Sequence, residues 1–140
     1  MRLVLDASVA IKFYIAEPDS GSALEWLAGG SEFIAPDLLL VETAQALLRH
    51  HREGRLSRSA LNDAIGDLVE VIGTTHRAAA LLPEAIDLAQ RLVHRLHDCV
   101  YLALAIRSGC GLLTADEVLA RKINLHGITP APVLLSQARA

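Results

Sequence analysis

Residues 96–122 read LHDCVYLALAIRSGCGLLTADEVLARK, and they divide into three pieces. Asp98 to Arg107 is rich in Leu and Ala and reads as a helix, closed by Ser108-Gly109. Gly111-Leu112-Leu113-Thr114 is too short for a helix and apolar throughout. It therefore reads as a strand buried on both faces, as in a parallel sheet. Asp116 to Lys122 reads as a second, short helix. A buried strand between two helices predicts an α/β architecture with a mainly parallel central sheet and helices on both sides.

The same alternation extends toward the N-terminus. Arg2-Leu3-Val4-Leu5 is a buried strand ending in Asp6, followed by a helix from Ala7 to Tyr14. A helix from Ser20 to Leu27 ends at Gly29-Gly30, and Glu32 to Ala35 is a short strand. Pro36 suits the first turn of a helix, where its missing N–H costs nothing, and that helix continues through Arg52 to Gly54. Ser57 caps a helix running to about Glu70, and Val71 to Thr74 is a strand. Leu82 to Val93 is helical, with Pro83 in its first turn. Ile128 to Leu135 holds a last strand, confined to an edge by Pro130 and Pro132. Residues 1–140 are expected to form a single domain of about the ordinary size.

Composition narrows the function. Net charge is −3, so a globally basic nucleic-acid binder is excluded, while a local basic rim is not. Aromatic residues are 4%, too few for a sheet that stacks bases on Phe and Tyr. Cys99 and Cys110 are neither a disulfide framework nor a zinc knuckle, and read as reduced core residues. The N-terminus carries Asp6 and Lys12 within its apolar run, which fails as a signal peptide. No run approaches a membrane span. The expected compartment is the cytoplasm.

In a parallel sheet the ligand site lies beyond the carboxyl ends of the strands. Asp6 follows the first strand directly and Asp116 comes two residues after the strand ending at Thr114, so both belong at that edge. Asp98 opens its helix, where the dipole tolerates an anion. Each of the three can also be read as a helix cap. Glu42 shares a polar stripe with Gln45, Arg49 and Arg52, which alone describes a solvated face. Several acids at strand ends, with no competing nucleophile motif, point to binding of a hard cation such as Mg²⁺ or Mn²⁺. Clustered carboxylates repel one another, raising their pKa values and destabilising the metal-free fold. Such a site orients water for in-line attack on a phosphodiester.

Four segments then resemble, in order, the motifs of PIN-domain proteins of the VapC toxin type. LVLDASVAIKFY (3–14) is similar to the first, and AEPDSGSALEWL (16–27) to the second. APDLLLVETAQALLR (35–49) resembles the helix that carries the family's glutamate, and residues 96–122 resemble its paired later acids. The resemblance implies a PIN-like three-layer α/β/α sandwich and a Mg²⁺- or Mn²⁺-dependent endoribonuclease. It further implies a homodimer held inactive by a cognate VapB-like antitoxin. Carried over, the metal-binding and catalytic acids fall on Asp6, Glu42, Asp98 and Asp116. Ser8 and Thr114 match hydroxyl positions that orient water or carboxylates, and Glu117 is an optional further acid.

Other features are expected to be subordinate. His94 and His97, three apart, are expected as solvated residues at a helix end, or as two zinc ligands on one helical face without an evident third. His50 and His51 with Arg49, Arg52, Arg55 and Arg58 form a basic patch that reads as a solvated helix end or as a rim for RNA phosphates. Leu24, Trp26, Leu27, Leu39, Leu40, Leu47 and Leu48 exceed what one core face needs. The surplus reads either as ordinary core or as part of a groove for an antitoxin helix, which Trp26 exposed in the free protein and buried by a partner would support. A signalling receiver lacks its acidic pair and its late lysine here, and an aspartyl phosphatase would need Asp where Ser8 stands. The remaining rival is a catalytically silent PIN-like module that only binds RNA or a partner.

Overall fold

The computed structural model describes residues 1–137. Its strands are β1 (Arg2–Leu5), β2 (Glu32–Pro36), β3 (Ile72–His76), β4 (Gly111–Thr114) and β5 (Val133–Leu134). They form one sheet of order β3-β2-β1-β4-β5, and every pair is parallel. The helices are α1 (Ala7–Ala10), α2 (Ser20–Ala28), α3 (Leu38–Arg52), α4 (Arg58–Val71), α5 (Ala78–Leu92), α6 (Leu96–Ser108) and α7 (Glu117–Leu125). They flank the sheet as an α/β/α sandwich.

The apolar runs do what a parallel sheet requires. Leu3, Val4 and Leu5 of β1, Phe33 to Pro36 of β2 and Leu112 to Thr114 of β4 are all buried. Only β3, at the edge, exposes its middle. Helix α6 is buried from Asp98 to Ala105 and packs on β1, β2 and β4, with α5 against it. A helix covered all round is apolar all round, which explains its run of Leu, Val, Tyr and Ala. Each such Leu contributes about 1.5–3 kcal/mol by leaving water.

Several element boundaries differ from expectation. Pro36 ends β2 rather than opening a helix; at a strand end its missing N–H interrupts little of the ladder. The helix expected from Ala7 to Tyr14 is four residues of α1 followed by a 3-10 turn over Ile11–Phe13. Strand β3 is shifted to Ile72–His76, and β5 shrinks to two residues. Pro83 lies inside α5, which begins four residues earlier than Leu82. The cause is tertiary: the Asp37 carboxylate at the start of α3 accepts the Ala78 N–H at 3.0 Å, capping α5 from another element. Asp98 is the third residue of α6, which starts at Leu96. Trp26 is only 5% exposed and belongs to the core with Leu39, which favours the core reading of that apolar surplus over the groove. Leu24 of the same helix is exposed.

The turn from α5 to α6 is strained. Val93 adopts φ 49°, a left-handed conformation that a β-branched residue rarely takes. Its carbonyl is held by the Lys122 ammonium at 2.8 Å, and the residue is 82% exposed. Val93→Gly is expected to stabilise the protein by about 1 kcal/mol, the left-handed penalty lifted less the extra chain entropy of glycine. A urea melt with a higher midpoint and unchanged slope checks this.

Candidate active site

The order β3-β2-β1-β4-β5 reverses direction between β1 and β4. The connections leave their carboxyl ends to opposite sides, opening a crevice where α/β proteins bind ligands. Asp6 follows β1 and Asp116 follows β4, so the topology delivers both to that crevice. Helix α6 crosses beneath with Asp98 in its first turn, and Tyr101 reaches Glu42 on α3.

Asp6 stands at the N-cap position of α1 but makes no side-chain cap bond. Its carboxylate instead accepts Ser8 Oγ–H and Thr114 Oγ1–H, both at 2.7 Å and both on Oδ2. A hydroxyl has one proton, so neither is left to join Ser8 to Thr114, whose oxygens lie 3.4 Å apart. As acceptors the two hydroxyls receive the N–H groups of Ala115 at 2.9 Å and Asp116 at 3.0 Å. They tie β1, α1 and the β4–α7 turn into one rigid knot, and they orient a carboxylate.

Asp116 is a cap: Oδ1 accepts the Leu119 N–H at 3.0 Å. Asp98 is not one. Its Oδ2 accepts from His94 Nε2 at 2.8 Å and from Arg95 Nε at 3.1 Å and Nη2 at 2.9 Å. Glu42 accepts the Tyr101 O–H on Oε1 at 2.6 Å. Burial first, and then that bond, drive the hydroxyl of the fully buried Tyr101 far above its ordinary pKa, so it remains a donor.

A pattern runs through all four acids. Among the described residues, every hydrogen bond to the carboxylates of Asp6 and Asp98 falls on Oδ2, to that of Asp116 on Oδ1 and to that of Glu42 on Oε1. The second oxygen of each carboxylate takes none. The His97 ring sits 3.7 Å from both Glu42 Oε2 and Asp98 Oδ1, too long for a hydrogen bond. Each of the four carboxylates is thus held by the protein through one oxygen; Asp98 and Asp116 come together with His94, while Asp6 and Glu42 stand outside that closest group, near enough for the charges of Glu42 and Asp98 to act on Asp6. Arg95 and Lys122 are the cations beside them, so the cluster stays net negative.

Burial falls hardest on Asp6, which is 5% exposed. Its pKa is pushed up to about 6, first by desolvation and only last by the charges of Asp98 and Glu42, while the two hydroxyls pull it down. Mutual repulsion, expected as the main cause, is the lesser one.

His94 departs most from expectation. It is not solvated, with only 8% of its side chain exposed, and it lies in the turn before α6 rather than on a helical face with His97. One atom each from His94, Asp98 and Asp116 lie within 4.8 Å of one another. Glu117 is exposed in the first turn of α7 and takes no part in these hydrogen bonds; it borders a separate cavity with Arg121, Asn124 and Leu134. Much of the basic patch serves the α3–α4 turn, where His51 Nδ1 lies 2.7 Å from Leu56 O and Arg55 pairs with Glu53. Cys99 is buried, Cys110 half-buried, and both are free thiols. No helix among the described residues is long and apolar enough to cross a membrane.

Fold and site together define an α/β protein with an acidic candidate metal site at the switch point of its sheet. The PIN domain family model matches residues 3–124. Ribonuclease VapC3 of Pyrobaculum aerophilum is 33% identical over 124 residues, 87% of this chain and 95% of that one. Ribonuclease VapC3 of Mycobacterium tuberculosis is 33% identical over 120 residues, 86% of each. The chain belongs to the PIN-domain family, in its VapC-type branch. Among solved structures, PAE2754 from Pyrobaculum aerophilum superposes with a TM-score of 0.74 at 19% identity, covering 97% of this chain and 90% of that one. VapBC2 from Rickettsia felis, bound to a DNA fragment from its promoter, superposes with a TM-score of 0.61 at 14% identity, over 96% and 97%. These two likenesses extend the agreement in fold.

Proposed function

We propose that this chain, a single PIN-like domain, is a metal-dependent endoribonuclease and the toxin of a toxin–antitoxin pair. Asp6, Glu42, Asp98 and Asp116 are its catalytic and metal-binding acids. The observation that supports this reading is the gathering of acids at the switch point: Asp98 and Asp116 lie together beside His94, Asp6 is near enough to feel the charges of Asp98 and Glu42, and the protein holds each of the four through one oxygen. Carboxylate oxygens suit Mg²⁺ or Mn²⁺. Names borne by the relatives, ribonuclease and VapC, support the activity, and the VapBC2 complex supports an antitoxin partner. The homodimer and the cytoplasmic location belong to the same proposal.

A divalent ion in this site supplies polarisation of the phosphodiester and a competent water nucleophile at neutral pH. The chain's own residues do the rest. Ser8 and Thr114 hold Asp6, Tyr101 holds Glu42, and the helix α7 N-terminus holds Asp116, so the ligands need no reorganisation during reaction. Arg95, two-thirds exposed, presents the outer side of its guanidinium at the rim, where it can meet a phosphate oxygen.

Purified protein is expected to cleave structured RNAs with Mg²⁺ or Mn²⁺, not with EDTA, and to leave 5′-phosphate and 3′-hydroxyl ends. Asp6→Asn is expected to be inactive. Cyclic phosphate ends would overturn hydrolysis by water in favour of attack by the 2′-hydroxyl. Equal cleavage by wild type and variant would remove Asp6 from the site. Silence of both across diverse RNAs would favour the binding-module alternative.

A further inference from the structure

The His94 side chain is enclosed by three charged groups, and each of its ring nitrogens has one partner. Nδ1 lies 3.2 Å from Lys122 Nζ, and Nε2 lies 2.8 Å from Asp98 Oδ2. An ammonium can only donate, so Nδ1 accepts and the ring proton sits on Nε2. Lys122 is fixed in turn by the carbonyl of Val93, at 2.8 Å. The chain of donors therefore runs one way, from Lys122 through the imidazole to a single oxygen of Asp98.

That direction separates two roles. In this arrangement neither ring nitrogen offers a free lone pair: Nε2 faces Asp98 Oδ2 and Nδ1 faces Lys122. Asp116 Oδ2 lies 4.0 Å from Nε2, beyond a hydrogen bond. We propose that His94 is a positioning residue of the metal centre: held in its Nε2–H tautomer by Lys122, it pins Oδ2 of Asp98 and keeps Oδ1 free for the cation. This rests on the reading that the four acids bind a divalent ion. Arg95 binds the same oxygen from an exposed position and loses part of its hold to solvent, whereas the buried imidazole does not. Residues that orient a metal's ligands are commonly worth about 10–100-fold in affinity.

The test is Mn²⁺ and Mg²⁺ affinity, measured by calorimetry and by the metal-induced rise in melting temperature, for wild type, His94→Gln, His94→Asn and His94→Leu. Urea melts in EDTA verify that each variant folds. Gln places its amide nitrogen near the Nε2 position and is expected to retain affinity within about threefold. Asn places it near Nδ1, short of Asp98, and is expected to lose about 10–100-fold, as is Leu. Lys122→Met, which frees the tautomer, is expected to fall between. Should Leu prevent folding, the contrast of Gln with Asn carries the test. Equal affinity across the series would overturn the proposal. So would a Gln variant as weak as Asn, since the imidazole itself would then be the ligand. Wild type that binds neither ion would overturn the metal-centre reading beneath it, a result distinct from the other two.

Discussion

Asp6→Asn is expected to make the metal-free protein more stable by about 3 kcal/mol at pH 7–8, while abolishing its metal response and its cleavage of RNA. The carboxyl is 5% exposed and its pKa is pushed up from 3.8 to about 6. A folded-state pKa above the unfolded one means that the proton binds more tightly in the fold. The stability this contributes is complete below about pH 3.8 and lost as pH rises through about 6. Above that the ionised form is disfavoured by about 1.4 kcal/mol for each tenfold gain in proton affinity on folding. An amide carries no charge to bury, and its oxygen can accept the same two hydroxyls as Oδ2. The melting temperature should rise by roughly 6–12 °C for a chain of this size. Wild type in EDTA should lose stability from pH 5 to 7 more steeply than the variant. A variant no more stable than wild type at pH 8 would show that burying Asp6 carries no such cost.

Thr114→Val is expected to act in the opposite direction. The hydroxyl is fully buried, donates to Asp6 Oδ2 and accepts the Asp116 N–H. Valine nearly keeps the volume but leaves the Asp116 N–H unpartnered and Asp6 Oδ2 with Ser8 alone, a loss of about 2–4 kcal/mol. The Thr114 bond lowers the Asp6 pKa, so its removal should move the pH dependence of metal-free stability upward. Metal affinity should fall with it, because the ligand is harder to ionise and less firmly held. Thr114→Ser should restore most of both. If valine left stability and pH profile unchanged, the hydroxyl knot would not be what orders the site.

Much of this was legible in the sequence because parallel strands announce themselves as short apolar runs. Strand β4 falls on Gly111–Thr114 as expected, and acids placed after β1 and β4 could only reach one edge. Asp98 was legible too, from its place at a helix start. Glu42 was not: on α3 it is one polar residue in a polar stripe, and its distinction comes from Tyr101, 59 positions away. It was identified only by resemblance. His94 gave a signal, the four-residue spacing to Asp98, but its tautomer is set by Lys122, 28 positions on. Pro83 misled for a related reason. Local rules put it in a first turn, while Asp37 had already capped the helix at Ala78. What sequence reasoning missed lies in contacts between elements.

The hydroxyl of Thr114 reaches the carboxylate of Asp6 across 108 residues, and β1 gains its β4 neighbour only then. Translation delivers those partners in order. At about 5–20 residues per second, Asp116 leaves the peptidyl-transferase centre roughly 5–20 s after Asp6. Throughout that interval the nascent chain can pair β1 with β2 and β2 with β3, yet it holds an incomplete set of the proposed acids. A ribonuclease built this way cannot assemble that edge of its sheet until residue 116 has been made, so the proposed acids stay apart while the first three strands are already complete.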